Sequence, residues 1–292
     1  MCSMSVKKIV VDEDSSNRRL DNYLLTLLFD LPKSKIYSMV RKGEIRINSG
    51  RVKPSTKINT GDEIRLPPYV NIPKKNEVHI PDSLKKTISQ AILYEDKNYI
   101  IINKPTGIAV HGGTDNKYGL VSVMRDMFSE KVDLCHRIDK ETSGCLVFSL
   151  NKKSTKHFND LLQSRKVTKK YKAILKGTIS KDIFINNYIG DEPQLAISTF
   201  NIINSSENAS YVDIEITTGR THQIRIHSNE IGHPVINDSK YGDWKFNRSI
   251  KKFGKRMALH AHTMEFTDQL GKQIKVVAKL DKEFNDLLKL LN

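Results

Sequence analysis

Leu20, Leu24, Leu27 and Leu28 recur at the spacing of one helix face, and Asp30-Leu31-Pro32 ends that run because proline cannot continue the hydrogen-bond ladder. Ile36, Met39 and Val40 mark the apolar stripe of a second short helix, with Gly43 where a left-handed C-cap belongs. The pattern then shortens to strands. One is predicted at 44–48, followed by a Ser49-Gly50 turn, and another at 63–66 after Thr60-Gly61-Asp62. Pro67, Pro68, Pro73 and Pro81, with the polar run Lys74-Lys75-Asn76-Glu77, read as a linker that no helix crosses unbroken. The expected organisation is a small domain over 1–70, a linker over 71–88 and a large domain over 89–292.

The large domain opens with the apolar strand Tyr99 to Asn103, then Lys104-Pro105-Thr106-Gly107 and the loop His111-Gly112-Gly113. Strands are predicted at 145–150 and 170–175. Thr155, Phe158, Leu161 and Leu162 make one helix face, and Phe284, Leu287, Leu288 and Leu291 make another at the C-terminus. Val212, Ile214 and Ile216 alternate with Asp213 and Glu215, the period of a half-buried strand, ahead of the turn Thr218-Gly219. Mixed elements without a repeat or regular strand-helix alternation favour an α+β fold on mainly antiparallel sheet.

Composition adds a partner class. The 292 residues carry 48 Lys and Arg against 33 Asp and Glu, a net charge of +15, while 38% hydrophobic residues with 9 Pro and 15 Gly suit folded domains. Within 34–57, Lys35, Arg41, Lys42, Arg46, Arg51, Lys53 and Lys57 face Glu44 alone, which makes either a solvated face or a patch that neutralises phosphates. No window approaches the roughly 20 apolar residues of a membrane span, and the opening MCSMSVKKIVVDEDSS turns acidic before a secretory signal can form. Cys2, Cys135 and Cys145 form no CxxC pair, so a cytoplasmic setting is expected, without disulfide framework or structural zinc.

Two polar runs stand where loops meet strands. In His136-Arg137-Ile138-Asp139-Lys140-Glu141-Thr142-Ser143-Gly144, Asp139 suits a nucleophile or base and Arg137 a phosphate or a gap left by a displaced base; the bland reading is an Asp-Lys turn. In Gly219-Arg220-Thr221-His222-Gln223-Ile224-Arg225-Ile226-His227, Arg225 can hold a carboxylate bidentately, or be one more surface ion pair. Spacing alone does not pair it with Asp139. Tyr171, inside Lys169-Lys170-Tyr171-Lys172, suits either stacking on a base or a place in the core. Tyr241 and Trp244, beside Gly242-Asp243, read as loop packing. The histidines lack HExxH, His222 and His227 are off the i,i+4 spacing, and no phosphate-loop pattern occurs, so neither metal nor nucleotide cofactor is expected.

On these residues the chain resembles the RluA-type pseudouridine synthases of large-subunit ribosomal RNA, in the branch with an N-terminal S4 RNA-binding domain. HRIDKETSG is similar to the family's catalytic-aspartate motif, KKYKAILKG to the motif of its stacking tyrosine, and GRTHQIRIH to the run with its carboxylate-pairing arginine. YEDKNYIIINKPTGIAVHGG and MALHAHTMEF look like further catalytic-domain segments. RRLDNYLL, PKSKIYSMVRKGEIRIN and GDEIRLP look like the S4 module. Cys145 and Ile138 depart from the commoner residues but keep modest apolar side chains, so packing changes are expected rather than lost catalysis.

The resemblance implies isomerisation of uridine to pseudouridine, with Asp139 as nucleophile, Arg225 its partner, Tyr171 on the ring and Arg137 in the vacated space. It implies large-subunit ribosomal RNA as substrate, bound in part by the seven cations of 34–57. Neither metal, organic cofactor nor obligate protein partner is implied, and the chain is expected to be monomeric. Two other functions stay open: a non-catalytic RNA-binding assembly factor, disfavoured by the intact Asp139, Tyr171 and Arg225, and a cofactor-free nucleoside hydrolase or glycosylase.

Overall fold

The N-terminal helices form where the leucine spacing places them in the computed structural model, which describes residues 6–72, 80–112 and 118–291. The N-terminal unit, Met1–Val78, contains β1 (Lys7–Val10), α1 (Leu20–Leu27), α2 (Lys33–Lys42), β2 (Arg46–Ile47), β3 (Gly50–Arg51) and β4 (Glu63–Leu66). Leu20, Leu24 and Leu28 meet Ile36, Met39 and Val40 across the two helices, and Ile45, Ile58, Ile64 and Leu66 complete one core. Gly43 ends α2 with φ +73, its N–H reaching the Met39 and Val40 carbonyls. The hairpin turn sits one residue earlier than expected, on Asn48 and Ser49 with φ of +48 and +66, and Gly50 already belongs to β3. Two consecutive positive φ values are what a two-residue hairpin loop requires. The sheet order is β1-β4-β2-β3, with β1 an addition to the predicted elements.

The second unit, His79–Asn292, starts inside the expected linker. A helix, α3 (Asp82–Gln90), occupies most of its second half and buries Ile88, so the linker does not extend over 71–88. Pro81 caps this helix rather than breaking it, because no ladder N–H is needed at that end. Pro73, Lys74 to Glu77, Cys2 and Gly113 lie outside the described residues.

The elements that follow are β5 (Ile92–Glu95), β6 (Tyr99–Lys104), α4 (Leu120–Met127), β7 (Asp133–Leu134), β8 (Ser143–Ser149), α5 (Lys152–Gln163), β9 (Thr168–Lys176), β10 (Ile183–Ile189), β11 (Gln194–Ser205) and β12 (Ala209–Ile216). After them come α6 (Gln223–Glu230), α7 (Trp244–Ser249), β13 (Leu259–Thr267), β14 (Gln273–Val277) and α8 (Lys282–Leu287). Among the described residues they form a sheet in the order β10-β11-β12-β9-β13-β8-β6-β5, with β14 on β13 and β7 on β8. Its pairs are antiparallel except β8 with β13, where Ser143 and Gly144 lie parallel to His260 and Ala261.

The unbroken apolar run of β6 has a structural reason. Ile100 and Ile102 enter a core shared with α3 and α4, while Tyr99 and Ile101 enter another with Phe158 of α5. A strand covered on both faces does not alternate. A third core lies under β9, β12 and the C-terminal Phe284, Leu287 and Leu290. Among the described residues no helix is long and apolar enough to cross a membrane.

Candidate active site

The HRIDKETSG loop joins β7 to β8 and is fixed along its whole length. His136 accepts the Val147 N–H at 3.2 Å and stacks on Phe158. Ile138 packs against two of the cores. Thr142 closes the turn by donating its N–H to the Asp139 carbonyl at 3.2 Å. The fully buried Lys104 ammonium donates to the carbonyls of Pro105, Ile108 and Lys140, each at 2.9 Å, and Thr106 Oγ1 donates to the Glu141 carbonyl. Burial lowers the Lys104 pKa to about 7, and the three carbonyls match all three N–H donors of the charged form. Gly144 has φ +109, and a Cβ there would meet the Ala261 carbonyl oxygen at 2.2 Å, so only glycine lets β8 approach β13.

Arg137, Asp139 and the buried Thr142 are the polar residues of this loop that line the cleft. Arg137 is exposed at its lip and Asp139 is half-buried. Arg225, on α6, donates from Nη1 to Asp139 Oδ2 at 3.0 Å, the pairing that spacing left open. Its bidentate grip falls elsewhere. Nε and Nη2 donate to Asp238 Oδ2 and Oδ1 at 2.6 and 2.8 Å, and Asp238 also accepts the Lys240 and Tyr241 N–H groups. Burial alone raises the Asp238 pKa, but the Arg225 guanidinium and those N–H groups hold it below the ordinary value. Arg225 is thus clamped by one carboxylate and aimed at another.

Tyr171, on β9, lines the same cleft and is 8% exposed. Burial, then the charge of Asp139, push its hydroxyl pKa up, which keeps it protonated at neutral pH. Ile216, Ile224 and Leu259 complete an apolar wall, and the cleft is open to solvent at its mouth.

The second motif divides its labour. Gln223 accepts from Thr218 Oγ1 and the Arg220 N–H and donates to the Ile197 carbonyl and Ser198 Oγ, and His227 lies against Ser198 and Asn187. These residues hold α6 on the sheet. His222 precedes the helix with φ +57, and the left-handed backbone turns its ring toward the cleft, Nε2 lying 3.7 Å from Asp139 Oδ1 and Nδ1 3.0 Å from Tyr241 Oη. Burial lowers its pKa, opposed in part by Asp139, so at neutral pH the cation beside Asp139 is Arg225.

Lys35, Arg41, Lys42, Arg51, Lys53 and Lys57 are exposed on the first unit, and none of them pairs with a carboxylate among the described residues. Arg46 is partly spent, its Nε on the Gly43 carbonyl and Nη1 on that of Ser49. The sheet register adds two residues that the sequence reading missed. Lys8, Arg65, Arg46 and Arg51 stand opposite one another on successive strands, a row of four cations. Lys8 is already paired with Glu63 at 2.9 Å, which leaves Arg65, Arg46 and Arg51 as like charges opposed across the sheet, an arrangement that costs stability. In the second unit the missed residues are Asp238, Lys104 and His222. A carboxylate thirteen positions after Arg225 carries no spacing signal, and Asp238-Ser239-Lys240-Tyr241-Gly242 reads only as a turn.

Cys135 and Cys145 are buried and unpaired, and burial pushes both thiols up to about 12, so neither is a ready nucleophile. No group of three or more His, Cys, Asp or Glu suited to a metal ion occurs among the described residues. Trp244 departs from the expected loop packing, being 66% exposed, whereas Tyr241 packs beside Arg225 and His222.

Comparison with known proteins finds a family match in each unit. The S4 domain family matches residues 18–64, and the family described as RNA pseudouridylate synthase matches residues 98–230. The chain is 37% identical over 308 residues to the ribosomal large subunit pseudouridine synthase C of Haemophilus influenzae, covering 98% of this chain and 95% of that protein. It is 33% identical over 301 residues to the Escherichia coli protein of the same name, covering 95% and 94%. The structure of human RNA pseudouridylate synthase domain containing 4 matches with a TM-score of 0.60 and 26% identity, over 72% of this chain and 96% of that one. Relatives of this identity, matched along nearly the whole chain, show that it belongs to the RNA pseudouridylate synthases with an N-terminal S4 domain.

Proposed function

We propose that the chain isomerises uridine to pseudouridine in large-subunit ribosomal RNA. The observation that carries this reading is the 3.0 Å contact of Arg225 with Asp139 at the cleft where Tyr171 is buried. A uridine in folded RNA must leave its stack to reach the cleft, at a cost of about a few kcal/mol. Arg137, exposed at the lip, fills the vacated space. Asp139 acts as an ionised nucleophile kept in place by Arg225, and Tyr171, protonated, lies against the uracil ring. The C1′–N1 bond breaks, the retained uracil turns, C5 bonds to C1′ and the C5 proton leaves as N1 gains one, so atoms balance without a co-reactant. All four side chains come from one chain, which favours a monomer as the working unit. The cytoplasm, where ribosomal RNA is available, is its proposed site of action.

The exposed cations of 34–57 bind phosphates of structured RNA, which supplies affinity with little base information. The test uses unmodified large-subunit RNA carrying tritium at uridine C5. Wild-type protein should release tritium and leave pseudouridine at defined positions, and Asp139→Asn should abolish release while retaining most RNA binding. No release by the wild type above background sinks the synthase reading, and liberation of free uracil points to the glycosylase instead.

A further inference from the structure

The strip that follows Asp238 carries a dense group of charges that the chemistry above does not use. Lys240, Lys245, Arg248, Lys251, Lys252 and Lys255 are exposed, and none pairs with a carboxylate among the described residues. The acidic residue among them, Asp243, is already taken, accepting the Phe246 N–H as helix cap and bonding Lys176 Nζ at 2.5 Å. Uncompensated cations at this density on a folded surface are an electrostatic footprint for a polyanion.

The same strip carries Trp244, the chain's single tryptophan, 66% exposed at the start of α7. A large aromatic face in a field of cations is the pairing that binds single-stranded nucleic acid, the ring stacking on a base while the cations follow the backbone. The surface beneath is firmly seated. Phe246, Ile250 and Phe253, at intervals of four and three residues, turn inward against the core, which leaves Trp244 and the cations on the outer face. Asn237 ties the far end by donating to the Gly254 and Arg256 carbonyls and holds α7 through Asn247.

Its near end holds two residues of the cleft, Arg225 and His222. Asp238 both clamps Arg225 and accepts the Lys240 and Tyr241 N–H groups, and Tyr241 Oη meets His222 at 3.0 Å. Trp244 is three residues further on, at most about 11 Å of chain. The strip therefore starts within a few residues of the side chains that position Arg225 and His222.

We propose that residues 240–255 form a second RNA-docking surface, on the catalytic unit, in which Trp244 stacks on an unpaired base near the flipped uridine and the surrounding cations take the adjoining phosphates. This rests on the reading that the substrate is RNA, and it adds which surface of the catalytic unit grips the strand.

Because the chain has one tryptophan, its fluorescence reports this site alone. Titrating the full-length protein with unmodified large-subunit RNA should quench the emission and shield it from acrylamide. Trp244→Ala should weaken binding about tenfold, with Trp244→Phe recovering most of the loss. Replacing Lys245, Lys251, Lys252 and Lys255 by Gln should lower the salt slope of binding by about three. Binding, followed through labelled RNA, with unchanged emission and an unaltered Trp244→Ala affinity overturns the proposal, as does a patch that binds anionic vesicles or acidic protein but not RNA. Tritium release, measured in parallel, separates the two readings. Quenching without release condemns the reaction and leaves the surface, whereas release without quenching does the reverse.

Discussion

Arg225 divides its donors between two carboxylates with different exposure, and that division is the central residue-scale feature of the cleft. Asp238, its side chain fully buried, engages two of the three guanidinium nitrogens, so the third, Nη1, points at Asp139 without rotational choice. Replacing Asp238 by Asn keeps the size but removes the charge and one acceptor oxygen. The expected outcome is a fall in kcat on the order of 10²-fold with KM little changed, because misplacement rather than lost RNA contact is the defect. Single-turnover tritium release alongside filter binding checks this, and an unchanged kcat argues against the clamp. Arg225→Lys should not substitute, since an ammonium cannot hold one carboxylate bidentately while donating to another. Sequence patterns carried Asp139, Tyr171 and Arg225 as a set, with Arg225 as the partner of Asp139, only through a family resemblance, and gave no sign of the Asp238 clamp. The three come from a loop, a strand and a helix far apart in the chain, and a hydrogen bond across 86 positions leaves no periodic trace.

At the scale of elements, β13 supports the cleft from behind. His260 on this strand is 1% exposed, lies 2.7 Å from Ser143 Oγ through Nδ1 and 3.1 Å from the Ala278 carbonyl through Nε2, while Arg256 donates to the same Ser143 oxygen. The Ala278 carbonyl can only accept, so Nε2 carries the proton, and in the neutral ring Nδ1 accepts from Ser143. Burial lowers the His260 pKa to about 4. A folded pKa below the unfolded value means that the unfolded chain binds more protons between the two, so stability falls as pH drops from about 6.5 to 4, by about 3 kcal/mol from this group. Melting temperature followed across that window should show the decline, and His260→Gln, though less stable at pH 7, should flatten it. An equal slope in both proteins rules the assignment out. Periodicity revealed β6, β8, α5, β9, β12 and α8, whose faces differ or whose apolar runs are unbroken. It missed α3, whose start is marked by a proline that reads equally as a break, along with α4, β10, β11 and β14, and in the first unit β1, whose Lys7-Lys8-Ile9-Val10 is too short to establish a period.

Over the whole molecule much of the exposed positive charge gathers on two surfaces. One belongs to the S4 unit, with the cations of 34–57 and the row Lys8, Arg65, Arg46 and Arg51; the other is the strip 240–255 of the catalytic unit. Changing Lys35, Arg41, Lys42 and Arg51 to Ala should lower the salt slope of RNA binding by about three while leaving turnover at saturating RNA intact. Binding measured from low to physiological salt decides it, and an unaltered slope removes the S4 unit from the RNA contact. Composition disclosed the charge but not its grouping, since the row of four depends on strand register and the strip on which side of α7 is buried. The place of β13 in the sheet also has a consequence in time. Before this strand exists, β10-β11-β12-β9 with Tyr171 and β8-β6-β5 with the Asp139 loop are two separate ribbons. The strand that joins them pairs His260 with Ser143, 117 positions earlier. Synthesis proceeds from the N-terminus, so the RNA-binding unit is complete while the two ribbons still wait for their connecting strand. A nascent copy can hold RNA long before it can modify it, and its chemistry begins only as the C-terminal strands leave the ribosome.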